Sequence, residues 1–351
     1  MENSKYDKYL QYVGGVRFWI VAIGVIISMA ALKQASHIIN IILVAAFFTA
    51  VSLSPLNWLK KKGVPKWLAT TIVVSSIVLI FGLIGLLIGE SVNNFMDKLP
   101  TLQAQFDSFV TKTNNQLANL GIINANDNIL SNITGKSLLP MVAPVASGFG
   151  SVLSGSALIF IIFIFMIAES DQFAKKLSYI SADSSQHSGQ MIKQIRNYFG
   201  IKTLTSLSTG ILVGVSLYIL GVQFALLWGF LAFILNFIPS IGSFIAAIPA
   251  ILLALVLNGP MIALIAMIIY LVINTVIGNV IEPQLMGRNL GISPLVVFLS
   301  MMLFGYILGP VGMLIATPLA IVLKIIFDSR EVTRGLGILI GDGREIEESE
   351  D

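Results

Sequence analysis

Cysteine is absent from this sequence, histidine occurs twice, and charged residues make up only 11% of it. Without cysteine there is no disulfide framework, no thiol nucleophile and no thiolate metal ligand. His37 and His187 each stand alone, so neither zinc binding nor acid–base chemistry has a constellation to build on. The motifs G-x-x-x-x-G-K-[ST], H-E-x-x-H and G-x-S-x-G are missing, and no two carboxylates lie close together in an apolar run. Neither an enzyme nor a cofactor is expected. Any transport is secondary or passive.

What fills the chain instead is apolar sequence. Hydrophobic residues make up 56% and mean hydropathy is +0.89, whereas a soluble domain carries about 25% charged residues. These values describe a polytopic membrane protein. The net charge of +3 comes from basic residues at span ends. Membrane orientation explains that placement, and nucleic-acid binding does not.

A polar leader with Lys5, Asp7, Lys8 and Arg17 enters a first span near Phe18, which argues against a cleaved signal peptide. Phe18 to Leu32 and Ile38 to Leu53 predict a helical hairpin turning at Lys33 and His37. Lys60, Lys61, Lys62 and Lys66, flanked by Trp58 and Trp67, mark a cytoplasmic anchor, with a specific lipid site as the alternative. From Trp67 to Gly89 the chain crosses outward. Beyond it Leu99, Leu102, Phe106, Phe109, Thr113, Leu117 and Leu120 recur at helical spacing, with Pro100 in the first turn and Gly121 as the cap. That amphipathic helix lies on the bilayer or neighbouring spans, or forms a seam between subunits. Val152 to Ala168 returns inward to a basic loop holding an interfacial helix around Ile192, Ile195 and Phe199. Lys324, Arg330 and Arg334 keep the C-terminus inside with the N-terminus. The division expected is 1–90 for N-terminal spans, 91–151 for an extracytoplasmic region, 152–202 for a span and cytoplasmic loop, 203–327 for a repeat half and 328–351 for a tail.

Within 203–327 a broken pattern occurs twice. One copy reads Pro239-Ser-Ile-Gly242-Ser-Phe-Ile245-Ala246-Ala-Ile-Pro249, the other Pro310-Val-Gly312-Met-Leu-Ile315-Ala316-Thr-Pro318. Proline and glycine interrupt helices, and the apolar runs on either side fall short of the roughly 20 residues a crossing needs. Each copy is therefore expected to be a hairpin of two short helices. The fold class expected is all-α, with about six full transmembrane helices and two oppositely oriented, re-entrant broken hairpins related as an inverted repeat. The alternative is a pair of ordinary short hairpins turning outside the membrane. Gly85-x-x-x-Gly89, Gly210-x-x-x-Gly214 and Gly305-x-x-x-Gly309 are weaker signals of close helix approach.

Polar residues in this half are few and therefore informative. Asn236, Pro239, Ser240 and Gly242 at the first tip, Tyr270 and Asn274 on the helix between the hairpins, Asn279, and Pro310 with Gly312 at the second tip outline a neutral, amide-rich solute site. The plainer reading is that the amides only tie spans together. Glu282 is the one carboxylate between Asp183 and Asp328. It is the candidate for ion coupling, with Arg288 as its partner, unless the two form a simple interfacial ion pair.

The runs Asn236-Phe-Ile-Pro239-Ser-Ile-Gly242, Asn279-Val-Ile-Glu282-Pro283-Gln-Leu-Met-Gly287-Arg288-Asn-Leu-Gly291-Ile-Ser-Pro294 and Gly312-Met-Leu-Ile-Ala-Thr-Pro318-Leu resemble the autoinducer-2 exporter family of bacterial membrane proteins. Ser293 departs from the histidine that many relatives place before the equivalent of Pro294, so a proton role there does not carry over. The resemblance implies a transporter in the bacterial cytoplasmic membrane that exports a small polar solute such as a signalling molecule. It also leaves open sodium or lithium exchange for protons, and a channel-like facilitator or non-transporting scaffold. The partners expected are that solute, membrane lipid, a coupling proton or sodium ion, and further copies of the chain. A homo-oligomer is favoured, with a pentamer among the numbers allowed.

Overall fold

A computed structural model of the chain describes residues 19–20, 22–120, 155–172, 185–239, 242–286, 291–328 and 333–343, those from 185 to 196 by backbone alone. Among them every regular element is helical, as backbone without water to bond to requires. The helices are α1 (22–34), α2 (Ser36–Lys61), α3 (Lys66–Asn119), α4 (Gly155–Gln172), α5 (Ser185–Ile219), α6 (Ala225–Leu235), α7 (Gly242–Asn258), α8 (Pro260–Asn274), α9 (Glu282–Met286), α10 (Pro294–Leu308), α11 (Pro310–Asp328) and α12 (Arg334–Ile340). Among the described residues six segments are long and apolar enough to cross a membrane: α2, α3, α4, Asn197–Ile219 of α5, the continuous Pro260–Met286, and α11. α6 and α10 have 11 and 15 residues, or about 16 and 22 Å at the helical rise. Both are shorter than the roughly 30 Å hydrocarbon core.

Two expectations about the first third are corrected. No loop separates α1 from α2. Ala35 alone interrupts them, and the hydrogen-bond ladder continues across it from Ala35 N to Ala31 O at 2.9 Å and from Ile39 N to Ala35 O at 3.1 Å. A helical hairpin needs a loop of about 2–5 residues to reverse direction, so the chain bends here without turning back. The helix starting at Lys66 also does not stop near Gly89. It runs unbroken for 54 residues, with Pro100 inside it and not at its start. At the helical rise that is about 81 Å, far more than one crossing. The proposed cap, Gly121, lies outside the described residues.

This long helix joins two packing groups. Near its start Ala69 and Val73 pack with α2 and α4, where Phe48 meets Phe81, Phe160 and Phe163 at ring separations of 4.5 to 6.3 Å. Farther along, Ile88, Phe95, Leu99 and Leu102 enter a core shared with α5, α6, α7 and α8. Part of the amphipathic stripe is thus consumed inside the chain. α5 and α6 cross closely: a Cβ at Gly229 would lie 2.7 Å from the Gly210 carbonyl and 2.8 Å from the Gly214 Cα. The Gly210-x-x-x-Gly214 signal therefore marks a real approach, whereas Gly89 faces open space and Gly305 meets only the flexible Met313 side chain.

Candidate functional site

The first hairpin, α6 and α7, is tied down at its open end and turned at its tip. Phe224, just before α6, holds a left-handed backbone (φ 60°), and its ring meets Phe95 of α3 edge-on at 5.2 Å. Trp228 Nε1 donates to Gln223 O at 2.9 Å, and Asn258 Nδ2 donates to Gly221 O at 3.2 Å. At the tip the last turn of α6 tightens, with Phe237 N donating to Ile234 O and Ile238 N to Leu235 O. Gly242 then starts α7 against the Leu235 carbonyl, where any Cβ would collide.

The second hairpin, α10 and α11, repeats that device. Gly312 sits against the Phe304 carbonyl, and a Cβ there would also lie 2.7 Å from Leu308 Cβ. Ala246 and Ala316 follow at matching positions, both fully buried, and Pro249 and Pro318 both lie buried within their helices. Ile238 of the first tip packs on Met301 and Ala316, so the two hairpins touch.

Beside the first tip lies a cavity of about 160 Å³ lined by Lys202, Asn236, Pro239, Ser243, Phe244, Asn274, Thr275, Gly278, Asn279 and Glu282. Five of the residues named from sequence meet here: Asn236, Pro239, Asn274, Asn279 and Glu282. The Asn236 amide is committed, donating to Ser206 Oγ at 3.0 Å and accepting from Ser243 Oγ at 2.9 Å. Asn274 Oδ1 has no partner among the described residues. The Asn274 side chain lines the cavity with that oxygen itself buried. Thr275–Ile281, between Asn274 and Glu282, forms a π-helix, a rare winding that concentrates at functional sites. Its wider turn brings Asn274, Thr275, Gly278, Asn279 and Glu282 onto one wall.

The carboxylate of Glu282 is held by an ammonium that sequence reasoning passed over. Lys202 Nζ lies 2.6 Å from Glu282 Oε1, and Thr205 Oγ1 donates to Oε2 at 3.3 Å. The side chains are 5% and 16% exposed, so the pair carries little solvation and neutralises itself. Arg288, the partner anticipated for Glu282, lies outside the described residues, as does Ser240. Lys202 is 80 positions away and opens a stretch without charge, where it reads as the last basic residue of a loop. A lone lysine at the head of such a stretch was the available signal.

The remaining anticipated residues do not reach the cavity. Tyr270 is buried in the core with its hydroxyl unpartnered among the described residues. Gly242 shapes the tip without lining the space. Pro310 and Gly312 belong to the second tip, where Leu308 O accepts from Asn40 Nδ2 of α2 at 3.0 Å and the neighbours of Gly312 include Leu308, Phe304 and Met313. Among the described residues no cluster of histidine, cysteine, aspartate or glutamate could hold a metal ion.

The family model for AI-2E family transporters matches residues 18–331. The chain belongs to the AI-2E family of transporters. It is 33% identical over 334 residues to the AI-2 transport protein TqsA of Escherichia coli K12, covering 94% of this chain and 97% of TqsA. It is 32% identical over 349 residues to YhhT of the same organism, a transport protein by name, with 98% of each chain covered. YrrI of Bacillus subtilis 168, also a transport protein by name, is 25% identical over 302 residues, covering 81% of this chain and 84% of YrrI. Membership establishes a multi-pass membrane protein of a transporter family.

Proposed function

We propose that this AI-2E protein is a secondary exporter of a small, polar, uncharged solute across the bacterial cytoplasmic membrane, and that the cavity beside the first hairpin is its solute site. The observation that carries the reading is the cavity's chemistry. Amides from the tip, from α8 and from the π-helix surround a self-neutralised Lys202–Glu282 pair, and Asn274 presents an unsatisfied acceptor. A buried acceptor without a partner costs roughly 1–3 kcal/mol, and rotation of the Asn274 side chain towards the cavity would let a solute hydroxyl supply the missing donor. A net-neutral wall favours a neutral ligand, because an added charge would enter without a counter-ion. A polyhydroxylated molecule of the autoinducer-2 kind meets both demands, and TqsA is named for AI-2 transport.

In this reading the two hairpins are re-entrant, enter from opposite faces and gate the site alternately, with both termini cytoplasmic and the working unit a homo-oligomer. Their short first arms, α6 and α10, the shared tip device and the mutual contact support it. Glu282 also supports a second reading, exchange of sodium or lithium for protons, since an ionisable group among apolar spans is functional by default. The test is flux from proteoliposomes loaded with neutral polyols or with sodium, under imposed proton and sodium gradients. Saturable polyol efflux whose half-maximal solute concentration rises in Asn274→Ala is expected. Ohmic, unsaturable conductance would overturn the carrier, and sodium–proton exchange without polyol flux would move the assignment to the second reading.

A further inference from the structure

The four lysines around the α2–α3 turn divide into two pairs. Lys60 and Lys66 both bond Asp171 of α4, at 2.9 and 3.0 Å. Lys61 and Lys62 have no carboxylate partner among the described residues, and Lys62 Nζ stands 4.0 Å above the Trp58 ring. One pair fastens helices together. The other is left to the surroundings.

Beside that free pair lies a second cavity, of about 240 Å³, lined by Ser54, Asn57, Trp58, Lys61 and Asn197. The first four fall at i, i+3, i+4 and i+7 on one face of α2, and Asn197 closes the space from α5. Among the described residues the lining offers a hydroxyl, two amides and an ammonium, and no carboxylate. Such a donor set fits a phosphodiester. The volume is about eight times the share of one water in the liquid.

Position selects the source of that phosphate. Trp58 near the end of α2 and Trp67 at the start of α3 are 56% and 71% exposed, where interfacial tryptophans anchor spans. On α5, Leu204, Ile211 and Val215 stand 7, 14 and 18 residues beyond Asn197 on the same helical face, and all three are exposed. An apolar track thus leads away from the polar cavity along the membrane-crossing part of the helix. We infer that Ser54, Asn57, Lys61 and Asn197 form a headgroup site for an anionic phospholipid whose acyl chain lies along Leu204, Ile211 and Val215. A free phosphate would have no use for the track.

The test is native mass spectrometry of the full-length, detergent-solubilised protein titrated with phosphatidylglycerol or phosphatidylcholine, with thermal unfolding read in parallel. Selective retention of phosphatidylglycerol and a matching rise in Tm are expected. Lys61→Gln should reduce that retention about fivefold, the weight of one lysine at an anionic surface. Asn197→Asp, which puts a carboxylate in the cavity while keeping every lysine, should reduce it at least as far. Lys66→Gln removes the same charge a few residues away and should leave retention intact. Equal losses in Lys61→Gln and Lys66→Gln would reduce the effect to general electrostatics and overturn the site. Equal retention of both lipids would also overturn it, as would displacement of phosphatidylglycerol by inorganic phosphate.

Discussion

Gly242 at the first hairpin tip rests on the Leu235 carbonyl, and Gly312 at the second rests on the Phe304 carbonyl, so the backbone turns alike in both. The side chains around those turns differ. The first tip offers Asn236 and Ser243 to a polar cavity, whereas the second carries Leu308, Val311 and Met313 and receives only the Asn40 amide. A shared motif therefore specifies a fold of the chain. Polarity at the positions between its fixed residues decides whether that fold becomes a site.

The comparison can be broken first at the glycines. Gly242→Ala and Gly312→Ala should each be destabilising by ~3 kcal/mol or more, because the new methyl meets backbone and not a flexible side chain. Comparable losses of Tm in both are expected, and a tolerant Gly312→Ala would end the equivalence of the tips.

A slightly different kind of loss is expected at the ion pair that belongs to the first tip alone. Glu282→Gln or Lys202→Met leaves one buried charge uncompensated, at a cost of roughly 3–5 kcal/mol. The double variant Lys202→Met/Glu282→Leu removes both charges and should recover most of that stability in denaturation. If the double variant is as unstable as the sum of the singles, the two groups are not coupled.

The smallest effects separate site from scaffold. Asn40→Ala removes one bond to the Leu308 carbonyl and should lower stability by about 0.6–1 kcal/mol with flux unchanged. Asn274→Ala should do the reverse, raising the solute concentration for half-maximal flux while Tm stays nearly constant. A common response from both amides would mean that neither tip holds solute.

The contents of the cavity were more legible than its boundaries. Asn236, Asn274, Asn279 and Glu282 stand out because polar groups are scarce in a charge-free apolar half, and the structure gathers them. Lys202 was hidden because its partner lies 80 positions away and it sits at the edge of a basic loop. The π-winding of Thr275–Ile281 was hidden for a different reason: its β-branched residues, glycine and asparagine form helix poorly, which marks a weak stretch but does not specify a π register. Pro100 misled in the same way. Proline suits a first helical turn, yet here it rides inside α3, whose packing by Phe95, Leu99 and Leu102 on both sides of it outweighs the lost bond. Pro310 and Gly312 were read as site residues because their motif matched, and the structure surrounds Gly312 with apolar neighbours.

Because the chain has no cysteine, single cysteines can report on the two tips without background. The direct measurement is the alkylation rate of Thr275→Cys, on the cavity wall, and of Met313→Cys, at the second tip, in proteoliposomes with and without a transported polyol. Slowing by solute at position 275 and none at 313 is the predicted result. Equal protection at both positions, or protection at 313 alone, would contradict the assignment of the solute site to the first hairpin.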